Sequence, residues 1–263
     1  MTISKVLVPM LGGEEDSATL ELAAEVGLYF HAHVEVAGGG LESSGRSDAL
    51  HPDQREDLHT FFEQWRNRHG LALQFQCMHR GLTSASWVDL KGSVEMLAHR
   101  AKFADLVCMA VKGGDTHCQD TRALDAMLFS SGRPALLQPM AIDVAKPSIL
   151  GQPIVIGWNG SAEAVRALTG ALPFIHASRR VEVLSIGEKS VNAFDAYELT
   201  EYLRWCGIRA IASGIALEDW TGDDVVDAAV EDGAALLVMG ARRGGSATHH
   251  MLQTLPLAAL MAA

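Results

Sequence analysis

Positive charge is scarce in this chain: 21 lysines and arginines face 32 aspartates and glutamates, a formal net charge of -11 with histidine neutral. That balance excludes an electrostatic nucleic-acid binder, which needs a basic face to displace counterions from phosphates. Long apolar runs are also missing. None approaches the roughly 20 residues that a membrane helix requires, so no membrane partner is expected. Met1-Thr2-Ile3-Ser4-Lys5-Val6 enters a strand pattern at once and lacks a signal-peptide layout, which predicts a soluble, cytoplasmic protein. Cysteine is limited to Cys77, Cys108, Cys118 and Cys206, with no CxxC spacing. Cys108 falls in a buried strand pattern and Cys206 at a helix end, so reduced packing residues are expected. Aromatic residues make up only 6% of the chain. Trp65, Trp158, Trp205 and Trp220 do not form a stacking platform with basic neighbours and read as core or packing residues.

What is present is a pattern that occurs twice. Ala234-Ala235-Leu236-Leu237-Val238-Met239-Gly240-Ala241-Arg242-Arg243-Gly244-Gly245-Ser246 reads as a buried strand running into a glycine-rich turn. A continuous apolar run of this kind suits the middle of a parallel sheet, where both faces are covered. The turn lies at the strand's carboxyl end, where open α/β sheets bind ligands. Ala104-Asp105-Leu106-Val107-Cys108-Met109-Ala110-Val111-Lys112-Gly113-Gly114 is an earlier version of it.

The remaining elements follow suit. Strands are predicted at 5–9, 33–37, 71–78 and 135–138, and again at 153–158, 181–186, 208–213 and 257–261. Between them lie helical spacings, such as Leu58, Phe61, Phe62 and Trp65, with a stop at Gly70. Asp16 or Ser17 is the expected cap of the first helix, and Ser161 of its counterpart. Residues 38–53 read as a surface loop and 141–152 as a connector. Strands alternating with helices imply right-handed crossovers and parallel sheets flanked on both faces. The reading is therefore two doubly wound, five-stranded α/β domains, 1–140 and 153–263, rather than one barrel, which needs eight strands.

The opening strands Lys5-Val6-Leu7-Val8-Pro9 and Ile154-Val155-Ile156-Gly157-Trp158-Asn159-Gly160-Ser161 resemble those of the universal stress protein family in its tandem form. So do Ala104 to Val107, Leu236 to Gly240, and the tail Leu128-Phe129-Ser130-Ser131-Gly132-Arg133-Pro134-Ala135-Leu136-Leu137. The resemblance implies a Rossmann-like fold of the adenine nucleotide alpha hydrolase type. It also implies pairing through the last strands, inside one chain as a pseudo-dimer, and leaves a homodimer and an unknown protein partner open. ATP-binding members carry an aspartate after the first strand, then G-x-x-G, nine residues and G-[ST] after the fourth, whose amides hold phosphates at a helix start.

Measured against that pattern, the first domain is degenerate: Leu11 stands at the aspartate position and Ala110 at the first glycine. The second departs less. Asn159 replaces the aspartate, Gly240 fits the first glycine, Arg243 occupies the second, and Gln253-Thr254 replaces G-[ST]. The candidate ligand-binding residues are Trp158, Asn159, Gly160, Gly240, Arg242, Arg243, Gly244, Gly245 and Ser246, for ATP or another adenine nucleotide, or for a small anion. No catalytic residue is expected. Leu11-Gly12-Gly13-Glu14-Glu15-Asp16-Ser17 resembles the S-G-G-x-D-S loop of ATP pyrophosphatases but is one residue longer, and its carboxylates would repel phosphate.

No metal site is expected either. His249-His250 are adjacent, and His31 with His33 share strand-type spacing without a carboxylate or cysteine beside them. Cys77 with His79, and His117 with Cys118, would need other ligands. The expected function is a non-catalytic binding or regulatory module of the stress response, with weak nucleotide or anion binding in the second domain. The alternatives are a nucleotide-hydrolysing or adenylating α/β enzyme and a purely structural protein.

Overall fold

The computed structural model describes residues 2–38, 52–73, 82–90, 93–112, 119–140, 148–186, 189–215, 222–245, 248, 251–252 and 255–263. No helix among them is long and apolar enough to cross a membrane. They divide into two compact units, one within Thr2–Met140 and one within Ala141–Ala263.

In the first unit the elements are β1 (Lys5–Met10), α1 (Glu15–Phe30), β2 (His33–Gly38), α2 (Pro52–Arg68), β3 (Ala72–Leu73), β4 (Ser84–Asp89), α3 (Val94–Ala101), β5 (Leu106–Val111), α4 (Gln119–Phe129) and β6 (Ala135–Pro139). The strands lie in the order β3-β4-β2-β1-β5-β6, and the pairings among them are parallel. This unit thus has six strands where five are predicted. The predicted strand 71–78 contributes only the edge pair Ala72–Leu73, and its residues 74–78 lie outside the described ones. The partner of β2 is instead Ser84–Asp89, whose serines and aspartate hide it from an apolar-alternation reading.

Helix stops are built as the residues dictate. Gly70 has φ +64°, Gly70 N–H donates to Asn67 O and Leu71 N–H to Arg66 O, the paired bonds that close a helix on a left-handed residue. His31 takes the same role after α1 with φ 55°. It is a cap rather than a strand residue, so it and His33 are not a strand pair. Trp65 is buried, whereas Trp205 is 88% exposed, contrary to its expected packing role. Trp220 lies outside the described residues.

The second unit contains β7 (Ile154–Trp158), α5 (Ala162–Ala177), β8 (Val181–Ile186), α6 (Lys189–Trp205), β9 (Ala210–Ile215), α7 (Gly222–Glu231), β10 (Leu236–Gly240) and β11 (Ala258–Ala262). Its parallel order is β11-β10-β7-β8-β9. Read from the first strand outward, both units place the second strand on one side and the last two on the other. Leu236, Leu237, Val238 and Met239 are buried, as a strand covered on both faces requires.

One polar cluster sits inside the first unit. Glu35, 5% exposed, receives Arg100 Nε at 2.6 Å and Nη2 at 3.0 Å, with Lys5 Nζ at 2.8 Å. Burial pushes the Glu35 carboxyl up, but the Arg100 and Lys5 hydrogen bonds and charges outweigh it and hold the group below its ordinary 4.5. On the same strand His33 shares hydrogen bonds with Ser84 Oγ (2.8 Å) and Ser86 Oγ (2.9 Å). Burial lowers the imidazole from 6.5 and Lys5 lowers it further, against the opposing charge of Glu35.

Both shifts make the folded state hold fewer protons than the unfolded chain. Stability therefore falls as pH drops below about 6.5 for His33, and below about 4.5 for Glu35. Glu35→Gln should cost about 1–3 kcal/mol at neutral pH, the range of hydrogen bonds to charged groups. It should also remove part of the decline below pH 4.5. His33→Asn should flatten the slope that begins near pH 6.5. Urea unfolding across pH checks all three.

Candidate functional site

In each unit the first strand has neighbours on both sides, so successive connections leave it in opposite directions and open a crevice at the strand carboxyl ends. In the second unit this point lies between β7 and β10, which pair from Leu236 with Ile154 to Met239 with Gly157. The pairing brings Trp158, Asn159 and Gly160 beside Gly240, with the Arg242 to Gly245 turn following. Ser246 lies outside the described residues, as do His249, His250, Gln253 and Thr254.

The turn after β7 is tied locally. Asn159 Oδ1 accepts from Ser161 N–H at 3.1 Å, and Ser161 Oγ accepts from Ala164 N–H at 3.1 Å, the expected helix cap. Gly160 has φ +69°, a conformation that favours glycine. A residue that the spacing did not single out comes to this turn from α6. Asp195 Oδ2 lies 3.1 Å from the point a Cβ on Gly160 would occupy.

Gly240 is fixed by packing. A Cβ there would meet Ala164 N at 2.6 Å and the Glu163 Cβ at 2.7 Å, so the first turn of α5 rests directly on the end of β10. The amides beyond it are engaged inside the protein. Ala241 N–H donates to Ala262 O at 2.7 Å, Arg242 N–H to Thr248 Oγ1 at 3.1 Å, and Gly245 N–H to Arg242 O at 3.0 Å. Gly244, with φ +69°, occupies the third position of that last turn, which a left-handed residue must fill. The side chains of Arg242 and Arg243 are exposed. Arg242 offers charge to an anion, and three of the turn's amides are committed within the protein.

The first unit fills its crevice with its own groups. Asp16, 6% exposed, accepts from Leu11 N–H at 3.1 Å and from Gly12 N–H at 2.9 Å. The helix starts at Glu15, so Asp16 lies inside its first turn and binds back to the loop instead of capping the helix; Ser17 is likewise inside. Thr19 Oγ accepts from Ala110 N–H at 2.8 Å at the end of β5. Trp87 lies across the end of β2, where a Cβ on Gly38 would collide with its ring. Its Nε1–H donates to Asp89 at 2.8 Å. Lys112 pairs with Glu14 at the surface, at 3.0 Å.

Burial pushes the Cys108 thiol far above its ordinary value, so it stays protonated within β5. Cys108 and Cys206 are free thiols, while Cys77 and Cys118 lie outside the described residues with His79 and His117.

Gly240→Ala should cost about 1–3 kcal/mol, the range for overpacking, because a backbone atom of α5 blocks the methyl group. Gly245→Ala, whose nearest obstacle is Arg242 O at 3.1 Å, should cost less. Chemical denaturation of the two variants checks the order.

No protein-family model and no curated protein matches this chain. Solved structures do. A universal stress protein from Archaeoglobus fulgidus DSM 4304 superposes with TM-score 0.69 at 14% identity, covering 99% of this chain and 96% of that one. A functionally unknown protein from Pseudomonas aeruginosa PAO1 gives 0.57 at 14% identity, over 99% and 92%. The cytoplasmic domain of a prokaryotic cation chloride cotransporter gives 0.60 at 10% identity, over 99% and 96%. The chain has the fold of the universal stress proteins.

Proposed function

We propose that this protein is a universal-stress-like module of the stress response that binds and regulates and does no chemistry of its own. Its first unit is closed to nucleotide, and its second binds a nucleotide or a small anion weakly. The observation that carries this reading is the internal use of the strand-end amides. Leu11 and Gly12 are bound to Asp16, and Ala241 and Arg242 to Ala262 and Thr248. A phosphate that sought those donors would have to break existing bonds and, in the first unit, displace a buried carboxylate. The surface charge of Arg242 is the attraction for an anion, which water and salt weaken. The likeness to the cytoplasmic domain of a transporter accords with a fold used as a module.

Melting temperature with ATP and with pyrophosphate tests the reading. Both should stabilise the protein only at concentrations on the order of millimolar, weak binding on the affinity scale. The shift should fall with added salt and vanish in Arg242→Ala/Arg243→Ala. A phosphate-release assay on the same samples should stay at the rate of buffer. Release above that rate would replace this reading with the nucleotide-hydrolysing enzyme.

A further inference from the structure

The amino-terminal end of the second unit's sheet, opposite the crevice, gathers positive charge in an acidic chain. Strand β8 pairs with β9 from Val181 with Ala210. Arg180 and Arg209, the residues just before that pair, therefore sit side by side at the spacing of neighbouring strands, about 5 Å. Arg179 precedes them, and Arg204 lies in the last turn of α6. All four are exposed. Like charges set opposite each other on adjacent strands repel, and the chain answers only two of them. Arg204 pairs with Glu201, and Arg180 Nη2 donates to Asp232 O. The Arg179 and Arg209 side chains make no hydrogen bond or ion pair with another described residue, although Glu182, Glu231 and Asp232 are near. The end of α2 in the first unit is basic too, but there the charges are paired. Arg66 reaches Glu63 at 2.7 Å, and Arg68 and His69 reach Glu21 at 3.6 and 3.1 Å.

Beside the unpaired arginines stand two aromatic rings. Trp205, the last residue of α6, is 88% exposed, and Tyr202 one turn earlier is 49% exposed. A large ring that projects from the surface is a group that inserts rather than one that receives. We infer that this end of the unit docks on an anionic membrane surface, with Arg179 and Arg209 meeting lipid phosphates and Trp205 entering the headgroup region. Guanidinium groups bind phosphate bidentately, and the interface accepts an indole anywhere along its plane. An acidic protein would match the charge but must also supply a pocket placed for Trp205. The net charge of -11 opposes approach, yet acids more than a Debye length away, about 8 Å at physiological ionic strength, are largely screened. No helix among the described residues can span a membrane, and adsorption at its surface needs none.

The test mixes the full chain with phosphatidylglycerol vesicles or with phosphatidylcholine vesicles and reads co-sedimentation and tryptophan emission. The protein should sediment with the anionic vesicles at low salt, stay in solution with the neutral ones, and be released by high salt. Emission should move to shorter wavelength on binding, and Trp205→Phe should remove that shift. Arg179→Ala and Arg209→Ala should each weaken binding about fivefold, the worth of one basic residue at an anionic surface. Their melting temperatures without lipid should match the parent's, since both side chains are exposed. Arg242→Ala/Arg243→Ala should bind vesicles like the parent, which separates this surface from the anion site at the strand carboxyl ends. No sedimentation with anionic vesicles would overturn the proposal, as would equal sedimentation with neutral ones or an unchanged response in both arginine variants. Binding to poly-glutamate or single-stranded RNA, with none to vesicles, would also overturn it and give the patch to an acidic protein or to nucleic acid.

Discussion

A backbone N–H at the carboxyl end of a buried parallel strand has lost water and has no further ladder partner, so something must accept its proton. In strand-to-helix turns that bind phosphate, the ligand is that acceptor. Here the chain supplies its own: Thr19 for Ala110, Asp16 for Leu11 and Gly12, the Ala262 carbonyl for Ala241, and Thr248 for Arg242. An incoming anion would exchange one satisfied bond for another. The net worth of each is about 0.5–1.5 kcal/mol, so the exchange has little driving force. This constraint turns a ligand-binding fold toward self-sufficiency, and it acts in both units by different residues.

The difference between the units begins with how close the first helix comes to the fourth long strand. In the second unit α5 starts so near β10 that Gly240 must be glycine, and the backbone of Glu163 and Ala164 fills the space a side chain would need. In the first, Ala110 stands at the corresponding place, and Thr19 of α1 reaches over to accept its amide proton. A glycine in this turn is therefore no measure of phosphate binding. It measures helix-to-strand distance, which sequence spacing does not report.

Much of the fold was legible because the buried strands are apolar without interruption. Leu106 to Val111 and Leu236 to Met239 can be placed in the middle of a sheet from their residues alone. Ser84–Asp89 could not, since a strand whose partners include His33 and Glu35 has polar groups facing polar groups. Helix α5 runs through Pro173 to Ala177. Phe174 and Ile175 are buried there, and their burial outweighs the penalty of proline within a helix. At the site, the turn residues Trp158 to Gly160 and Gly240 were readable from strand ends. Asp195 was not, because it arrives from a distant element by tertiary packing alone; Thr248 reaches the Arg242 N–H from six residues further along the chain.

Each crevice contains a carboxylate contributed by a helix, and the partners of that carboxylate decide what the crevice can do. Asp16 is surrounded by N–H dipoles from its own loop, so its charge is compensated and nothing remains to attract a ligand. The Trp87 ring lies across the end of β2, against Gly38. Asp195 makes no hydrogen bond or ion pair with another described residue. The two units place their second strand on one side of the first and their last two on the other, and they differ in whether the chain has already answered its own polar groups.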